Sequence, residues 1–167
     1  MATAAQVLAQ FAADLKYNDI PATVLSRARD AMTDSIAACT FGSQFPWSKM
    51  VTDYARRYGS GGKSSLIGTD LKVHTPYAAL ANGVFAHAFE QDCGRDPGMG
   101  VHPGATLLPA LLASCEEVGA DGKTAMTALI ASSVIVPDRR EPRRATSAAQ
   151  TSAAWGSGSS PAMRSLM

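Results

Sequence analysis

Two alanine-rich segments joined by a glycine-rich loop restrict the fold more than any other feature of this chain. They lie in residues 79–117, ALANGVFAHAFEQDCGRDPGMGVHPGATLLPALLASCEE, which also hold two of the three histidines. Thr75-Pro76 reads as a helix start, since Thr can cap and Pro is tolerated in a first turn. From there to Glu90 the chain is rich in Ala, with Leu80, Phe85 and Phe89 interspersed. Alanine has the best helix propensity and its small side chain lets helices approach closely, so this helix is expected to be buried. It delivers His87, Glu90 and, just past its end, Asp92 to one place, because positions three apart share a helix face. Gly94, Gly98 and Gly100 around Pro97 make the connection a freely turning loop. His102 stands directly before Pro103 at the mouth of a second helix, Ala105 to Val118. Acids at one helix's C-terminal end thus face an imidazole at the next one's N-terminal end, an arrangement suited to a site.

The string HAFEQD, followed by GMGVHPGATLLPALLA, resembles the MmgE/PrpD family of 2-methylcitrate dehydratases and cis-aconitate decarboxylases. Its members carry HAxE/DxD, then a short variable loop, then HPGA at a helix start. ALANG upstream and the apolar helix downstream match as well, and LKYNDIPATVLSRARDAMTDSIAACTFGS is similar to the family's opening helical hairpin. The resemblance implies a lyase that dehydrates or decarboxylates a small di- or tricarboxylate, without cofactor or metal, in a homo-oligomer (a dimer in the family). It implies catalytic roles for His102, the histidine of HPG, and for Glu90 and Asp92, the two acids of HAxE/DxD. The amides at the start of the second helix, Gly104 among them, would bind a substrate carboxylate. Cys93 stands where many relatives carry Asp or another polar residue, which leaves the substrate open.

The residues themselves suit that chemistry. Dehydrating a citrate-like acid removes a proton beside a carboxylate and expels a hydroxyl, so it needs a base, an acid, and donors or cations for the carboxylates. A helix N-terminus disfavours a positively charged imidazole, leaving it free to act as base or donor, and its open amides attract anions. Plainer readings stand beside these. His102 could merely order the helix start, and one of the two acids could cap backbone amides or pair with Arg95. Arg95 could hold a substrate carboxylate or be a solvated surface charge. His87 reads as a packed histidine bonded to backbone, and His74 as a surface residue. His87, Glu90, Asp92 and His102 include metal-ligand types, but there is no HExxH spacing and no cysteine cluster, so no metal is expected.

With 167 residues, 46% of them hydrophobic, the chain can build a real core, and its net charge of +1 argues against a nucleic-acid protein. Cys39, Cys93 and Cys115 are odd in number and show no CxxC spacing, so they read as reduced thiols. MATAAQVLAQFAADL has neither the basic start nor the apolar core of a signal or membrane segment, which suggests a cytoplasmic protein.

In order, helical spacing of Val7, Leu8, Phe11 and Leu15 marks Ala4 to Leu15. A turn at 18–21 starts a long helix whose apolar stripe runs from Val24 to Cys39, with Gly42 as its stop. Trp47 to Tyr58 is a third helix, and Lys63 to Ile67 with Leu71 to Val73 form a small hairpin. SGGKSS lacks the further glycine of a phosphate-binding loop, because position 57 is Arg, so it is read as a turn. Lys123 to about Val136 is a last helix. The expected fold is all-α with one minor β-hairpin.

Residues 137–167 differ in character. They hold five arginines, no lysine, and only Asp138 and Glu141 as acids, a balance of +3 that leaves the preceding body at −2. Without apolar periodicity they are expected to be a disordered tail behind a domain of 1–136. The resemblance stops near Val136 where relatives continue, so the tail reads as a truncation or a shifted frame. Two further functions therefore remain open: an inactive helical fragment that associates through apolar faces, and a binding module using Arg139, Arg140, Arg143 and Arg144.

Overall fold

The computed structural model describes residues 2–92 and 102–135. These form six α-helices, a short 3-10 turn at Tyr17–Asp19 and a two-stranded antiparallel sheet. The helices are α1 (Ala4–Asp14), α2 (Ala22–Gly42), α3 (Pro46–Gly59), α4 (Thr75–His87), α5 (Pro103–Val118) and α6 (Gly122–Ile135). The strands are β1 (Ser60–Ser65) and β2 (Lys72–Val73). The chain is therefore essentially all-α with one minor hairpin, as its periodicity indicates. Among the described residues no helix is long and apolar enough to cross a membrane.

Each helix starts and stops for a local reason. Thr3 and Gln6 form a reciprocal capping box on α1, the Thr3 side chain accepting from Gln6 N and the Gln6 side chain from Thr3 N. Pro46 and Pro76 occupy first-turn positions of α3 and α4, where a missing N–H costs nothing. Asp121 Oδ1 accepts from Thr124 N at 2.8 Å and opens α6. Gly119 ends α5 at φ 69°, in the left-handed region that favours glycine.

α4 is the centre of the packing, as its alanines suggest. Ala78, Ala81, Phe85 and Ala86 are fully buried with Cys39 of α2, Ala55 of α3, Leu66, Val73 and Ala113 of α5. A second cluster joins Ile20, Val24 and Ala28 to Leu108 of α5 and to Met126, Leu129 and Ile130 of α6. α5 belongs to both clusters. Two glycines permit the closest approaches. A Cβ on Gly42 would overlap the Phe85 carbonyl, and one on Gly83 would lie 3.0 Å from the Ala105 carbonyl oxygen.

Asn82, buried on α4, ties the hairpin down. Its amide donates to Ser65 O at 2.9 Å and its carbonyl oxygen accepts from Ile67 N at 2.9 Å. From α5, Glu116 accepts from Ser65 N and Ser65 Oγ, while Ser64 Oγ donates to Ala113 O. The hairpin thus ties the middle of α4 to the C-terminal half of α5.

Several boundaries differ from the sequence reading. β1 begins at Ser60 rather than Lys63, with its register shifted between Ser60 and Ser64. Gly61 takes φ 92° there, which lets two glycines join a bulged strand. His74 is the cap residue of α4, and the Thr75 hydroxyl turns instead to Ser64 and Glu117. α4 stops at His87, three residues before Glu90.

Candidate active site

The end of α4 and the start of α5 meet at one buried carboxylate. Asp92 has a side chain with 0% exposure. Its Oδ1 lies 3.0 Å from Nδ1 of His87, and its Oδ2 lies 3.3 Å from Nδ1 of His102. The two imidazole rings touch edge to face with centroids 4.5 Å apart. His87 is 42% exposed and His102 30%, so the carboxylate is enclosed while both rings reach the surface.

A turn that is not helical brings these groups together. Ala88 N donates to Phe85 O and Glu90 N to His87 O, closing the chain on itself after α4. Glu90 takes φ 54°, a conformation that costs a residue other than glycine about 1 kcal/mol. Phe89 holds the turn from outside, packing on Phe41 at 4.8 Å and Phe45 at 6.0 Å between ring centroids. His102 is the cap residue of α5, its carbonyl accepting from Ala105 N, Thr106 N and Thr106 Oγ1. Fixing that carbonyl fixes the backbone from which the imidazole reaches Asp92.

The contact between Asp92 Oδ2 and His102 Nδ1 is short but off the line a hydrogen bond requires. Both atoms are buried and have no other hydrogen-bond partner among the described residues. Two buried polar atoms left without hydrogen-bond partners call for an explanation, and a task at a site is one. Behind the carboxylate lies Cys39, whose thiol donates to Asn82 O at 3.4 Å. Burial, and secondly the Asp92 charge, push the Cys39 thiol up to about 12, so it is an inert wall rather than a nucleophile.

The site residues expected from sequence are not equivalent. Asp92 and His102 are in direct contact. Glu90 stands outside them, its side chain 81% exposed and its carboxylate 3.8 Å from Nε2 of His87. Gly104 is buried in the first turn of α5. Arg95 and the tail lie outside the described residues. His87, read as a packed histidine bonded to backbone, bonds the Asp92 carboxylate instead. The helix stops sooner than the alanine pattern suggests, and this lets a residue five positions on fold back against it.

Ligand atoms of His87, Asp92 and His102 lie within 4.8 Å of one another, a donor set able to hold a metal ion. A small apolar hollow lies nearby between α2, α5 and α6, lined by Met32, Gly104, Leu108 and Ile130. Among the described residues its polar side chains are Ser35 and Ser133.

Residues 6–137 match the MmgE/PrpD N-terminal domain. The chain belongs to the MmgE/PrpD family. Over 109 residues it is 37% identical to the cis-aconitate decarboxylase-like protein oryM of Aspergillus oryzae, covering 65% of this chain and 22% of that protein. It is 31% identical over 117 residues to the cis-aconitate decarboxylase of Aspergillus terreus, covering 70% of this chain and 24% of the relative. Over 103 residues it is 30% identical to the cis-aconitate decarboxylase of Mus musculus, covering 61% of this chain and 21% of that enzyme. The chain thus spans between a fifth and a quarter of the length of these relatives. The family resemblance, first stated on HAFEQD and HPGA, holds for the N-terminal domain, and those two strings supply the buried cluster.

Proposed function

We propose that this chain carries the acid–base groups of an MmgE/PrpD lyase acting on a small unsaturated or hydroxylated tricarboxylate, with Asp92 and His102 as the proton-transferring pair. The observation that carries this is the buried Asp92 carboxylate, whose Oδ2 lies 3.3 Å from His102 Nδ1, neither atom having a hydrogen-bond partner among the described residues. In the dehydratase direction a base takes the proton beside a carboxylate, the electrons form the double bond, and the hydroxyl leaves with a second proton. In the decarboxylase direction the bond to one carboxylate breaks, carbon dioxide departs, and the electron pair shifts through the double bond to a carbon that must be protonated. Both need a group that handles one proton at carbon, held near amides that bind carboxylates. The names of the relatives favour cis-aconitate, with decarboxylation, over 2-methylcitrate.

His102 has the reach for that proton. Its Nδ1 is buried against Asp92 while the ring is 30% exposed, so the other face of the imidazole is available to a substrate. Asp92 would set the ring's orientation and exchange the proton with it. The first amides of α5, including that of Gly104, would receive a carboxylate. Arg95 would add a cation from the intervening loop. Glu90, at the solvent edge, would be an accessory to proton exchange.

This chain by itself is expected to turn over slowly, because it brings few cations to a trianionic substrate, and holding such an anion takes several. A second reading, that the chain self-associates, is favoured by its apolar surface. Phe41, Trp47, Met50, Leu80 and Val118 are all exposed.

The deciding experiment incubates the protein with cis-aconitate and with 2-methylcitrate, following carbon dioxide release and product by proton NMR. Asp92→Asn and His102→Ala are each expected to lower turnover by about 100-fold or more. Wild-type rates from either variant would remove that residue from the mechanism.

A further inference from the structure

The acid–base reading of Asp92 and His102 leaves a third member of the cluster without a task. His87 contributes no group to the proton path, yet its Nδ1 makes the only hydrogen bond to the Asp92 carboxylate among the described residues, at 3.0 Å. We propose that His87 is the positioning residue of this site: its Nδ1–H holds one oxygen of Asp92 and thereby turns the other onto His102. The inference rests on the acid–base reading and adds to it which residue sets the geometry.

The direction of the bond follows from chemistry. A carboxylate only accepts hydrogen bonds, so the proposal places the shared proton on the imidazole nitrogen. A carboxylate needs such a tether. Its terminal torsion is broad and roughly two-fold, so packing alone sets it poorly. Asp92 also follows α4 in a turn, outside regular structure. With Oδ1 held by His87, Oδ2 has one place to go, against His102 Nδ1 at 3.3 Å. Neither of those two atoms has another partner among the described residues. Removing the tether frees the carboxylate to rotate away from a contact that is not itself hydrogen-bonded.

The backbone is shaped to make this pairing. His87 and Asp92 are five residues apart, a separation that does not bring side chains together on a helix. They meet because α4 stops at His87 and Glu90 enters the left-handed region at φ 54°. Backbone strain of that kind collects at functional sites. Phe89 anchors the turn through Phe41 and Phe45, so the strain does not relax by moving the turn outward. The outer nitrogen of His87 faces Glu90 at 3.8 Å, and that carboxylate is largely in solvent.

A ligand role for His87 in a metal site is the rival explanation. In that case an ion rather than a proton on Nδ1 would join His87 to Asp92, so the two explanations differ in whether Nδ1 carries hydrogen.

The test uses the whole chain with histidine rings labelled with nitrogen-15. Long-range proton–nitrogen spectra are expected to show His87 protonated at Nδ1, and Asp92→Asn to disturb that signal. His87→Ala should shift the ring signals of His102, and His87→Asn should restore them, because the Asn amide nitrogen reaches the place of Nδ1. On cis-aconitate, His87→Ala should lower kcat by about 10–100-fold, the usual effect of removing an orienting partner, with KM changed less than about 3-fold. His87→Asn should recover most of that loss. The ring is 42% exposed at the end of α4, and the circular dichroism of both variants is expected to match the wild type.

His102 signals unmoved by His87→Ala, or His87 protonated only at Nε2, would overturn the proposal. So would stoichiometric zinc binding that His87→Ala abolishes. Loss of turnover in Asp92→Asn and His102→Ala with wild-type kcat in His87→Ala would sink the positioning role alone. Retained turnover in the first two would sink the acid–base reading instead. If turnover of the wild-type chain is too slow to follow, the ring spectra decide.

Discussion

Gly42 is where the helical frame and the site are most tightly coupled. It ends α2 against the last turn of α4, one turn before the residues that position Asp92. A methyl group at this position would overlap the Phe85 carbonyl oxygen, sit 2.8 Å from the carbonyl carbon and lie 3.2 Å from Ala88 Cβ. Carbon atoms pack at about 3.5–4.0 Å, so the carbonyl carbon alone demands roughly 0.7 Å of separation and the oxygen more. The obstacle is backbone, which cannot rotate away as a side chain can. Replacing a helical glycine by alanine ordinarily gains up to about 1 kcal/mol, but overpacking of this kind costs about 1–3 kcal/mol or more. We expect Gly42→Ala to be destabilising by about 1–3 kcal/mol, read as a lower urea midpoint by circular dichroism at 222 nm. The displaced end of α4 would also separate Asp92 from His102, and a misplacement of about 1 Å can cost roughly 100-fold in rate. A Gly42→Ala protein as stable as wild type, with unchanged turnover, would show that the α2–α4 crossing does not hold the site.

Four other outcomes follow from named contacts. Asn82→Ala leaves Ser65 O and Ile67 N without partners in a half-buried place, and is expected to cost about 2–4 kcal/mol in urea unfolding; a loss below about 0.5 kcal/mol would mean the hairpin does not depend on it. Cys39 ordinarily ionises at 9.0 and is pushed up to about 12, so its folded form keeps a proton that the unfolded chain gives up. Stability is therefore fully present below pH 9 and falls by about 1.4 kcal/mol per pH unit between about pH 9 and 12; Cys39→Ala should lack that part of the slope, and identical slopes would contradict it. Glu90→Gly relieves the left-handed backbone and should leave the fold intact or slightly firmer, and thermal unfolding below the wild-type midpoint would count against the turn as described. Chelation with EDTA is expected to leave turnover and the histidine ring spectra unchanged, and losing either would point to a metal on His87, Asp92 and His102.

The helices were legible because their apolar residues recur at helical spacing and their ends carry Pro, Gly and capping residues. Burial of α4 was legible too, since Ala78, Ala81 and Ala86 leave no bulk to hold neighbours away. The pairing of Asp92 with His102 followed from two helix ends joined by a short loop. The task of His87 did not follow, because Glu90 occupies a left-handed position where sequence reading looks for glycine. With the helix carried on to Glu90, His87 and Asp92 fall on different faces; with it ended at His87, they meet. Asn82 was equally hidden, because its partners Ser65 and Ile67 come from the hairpin, and tertiary pairing leaves no local mark. The acidic pair looked equivalent in sequence. Burial separated them, with 0% exposure for Asp92 and 81% for Glu90.

Proton transfer at the Asp92–His102 pair is tested most directly by solvent deuterium uptake. The protein is incubated with cis-aconitate in deuterium oxide, and incorporation of deuterium at carbon in substrate and product is followed by NMR. This partial reaction needs only the proton-handling groups and a bound carboxylate. We expect wild-type protein and Glu90→Gln to incorporate deuterium within about 5-fold of each other, and His102→Ala and Asp92→Asn to be slower by about 100-fold or more. Loss of incorporation in Glu90→Gln with full incorporation in His102→Ala would contradict the assignment and move the chemistry to the exposed acid.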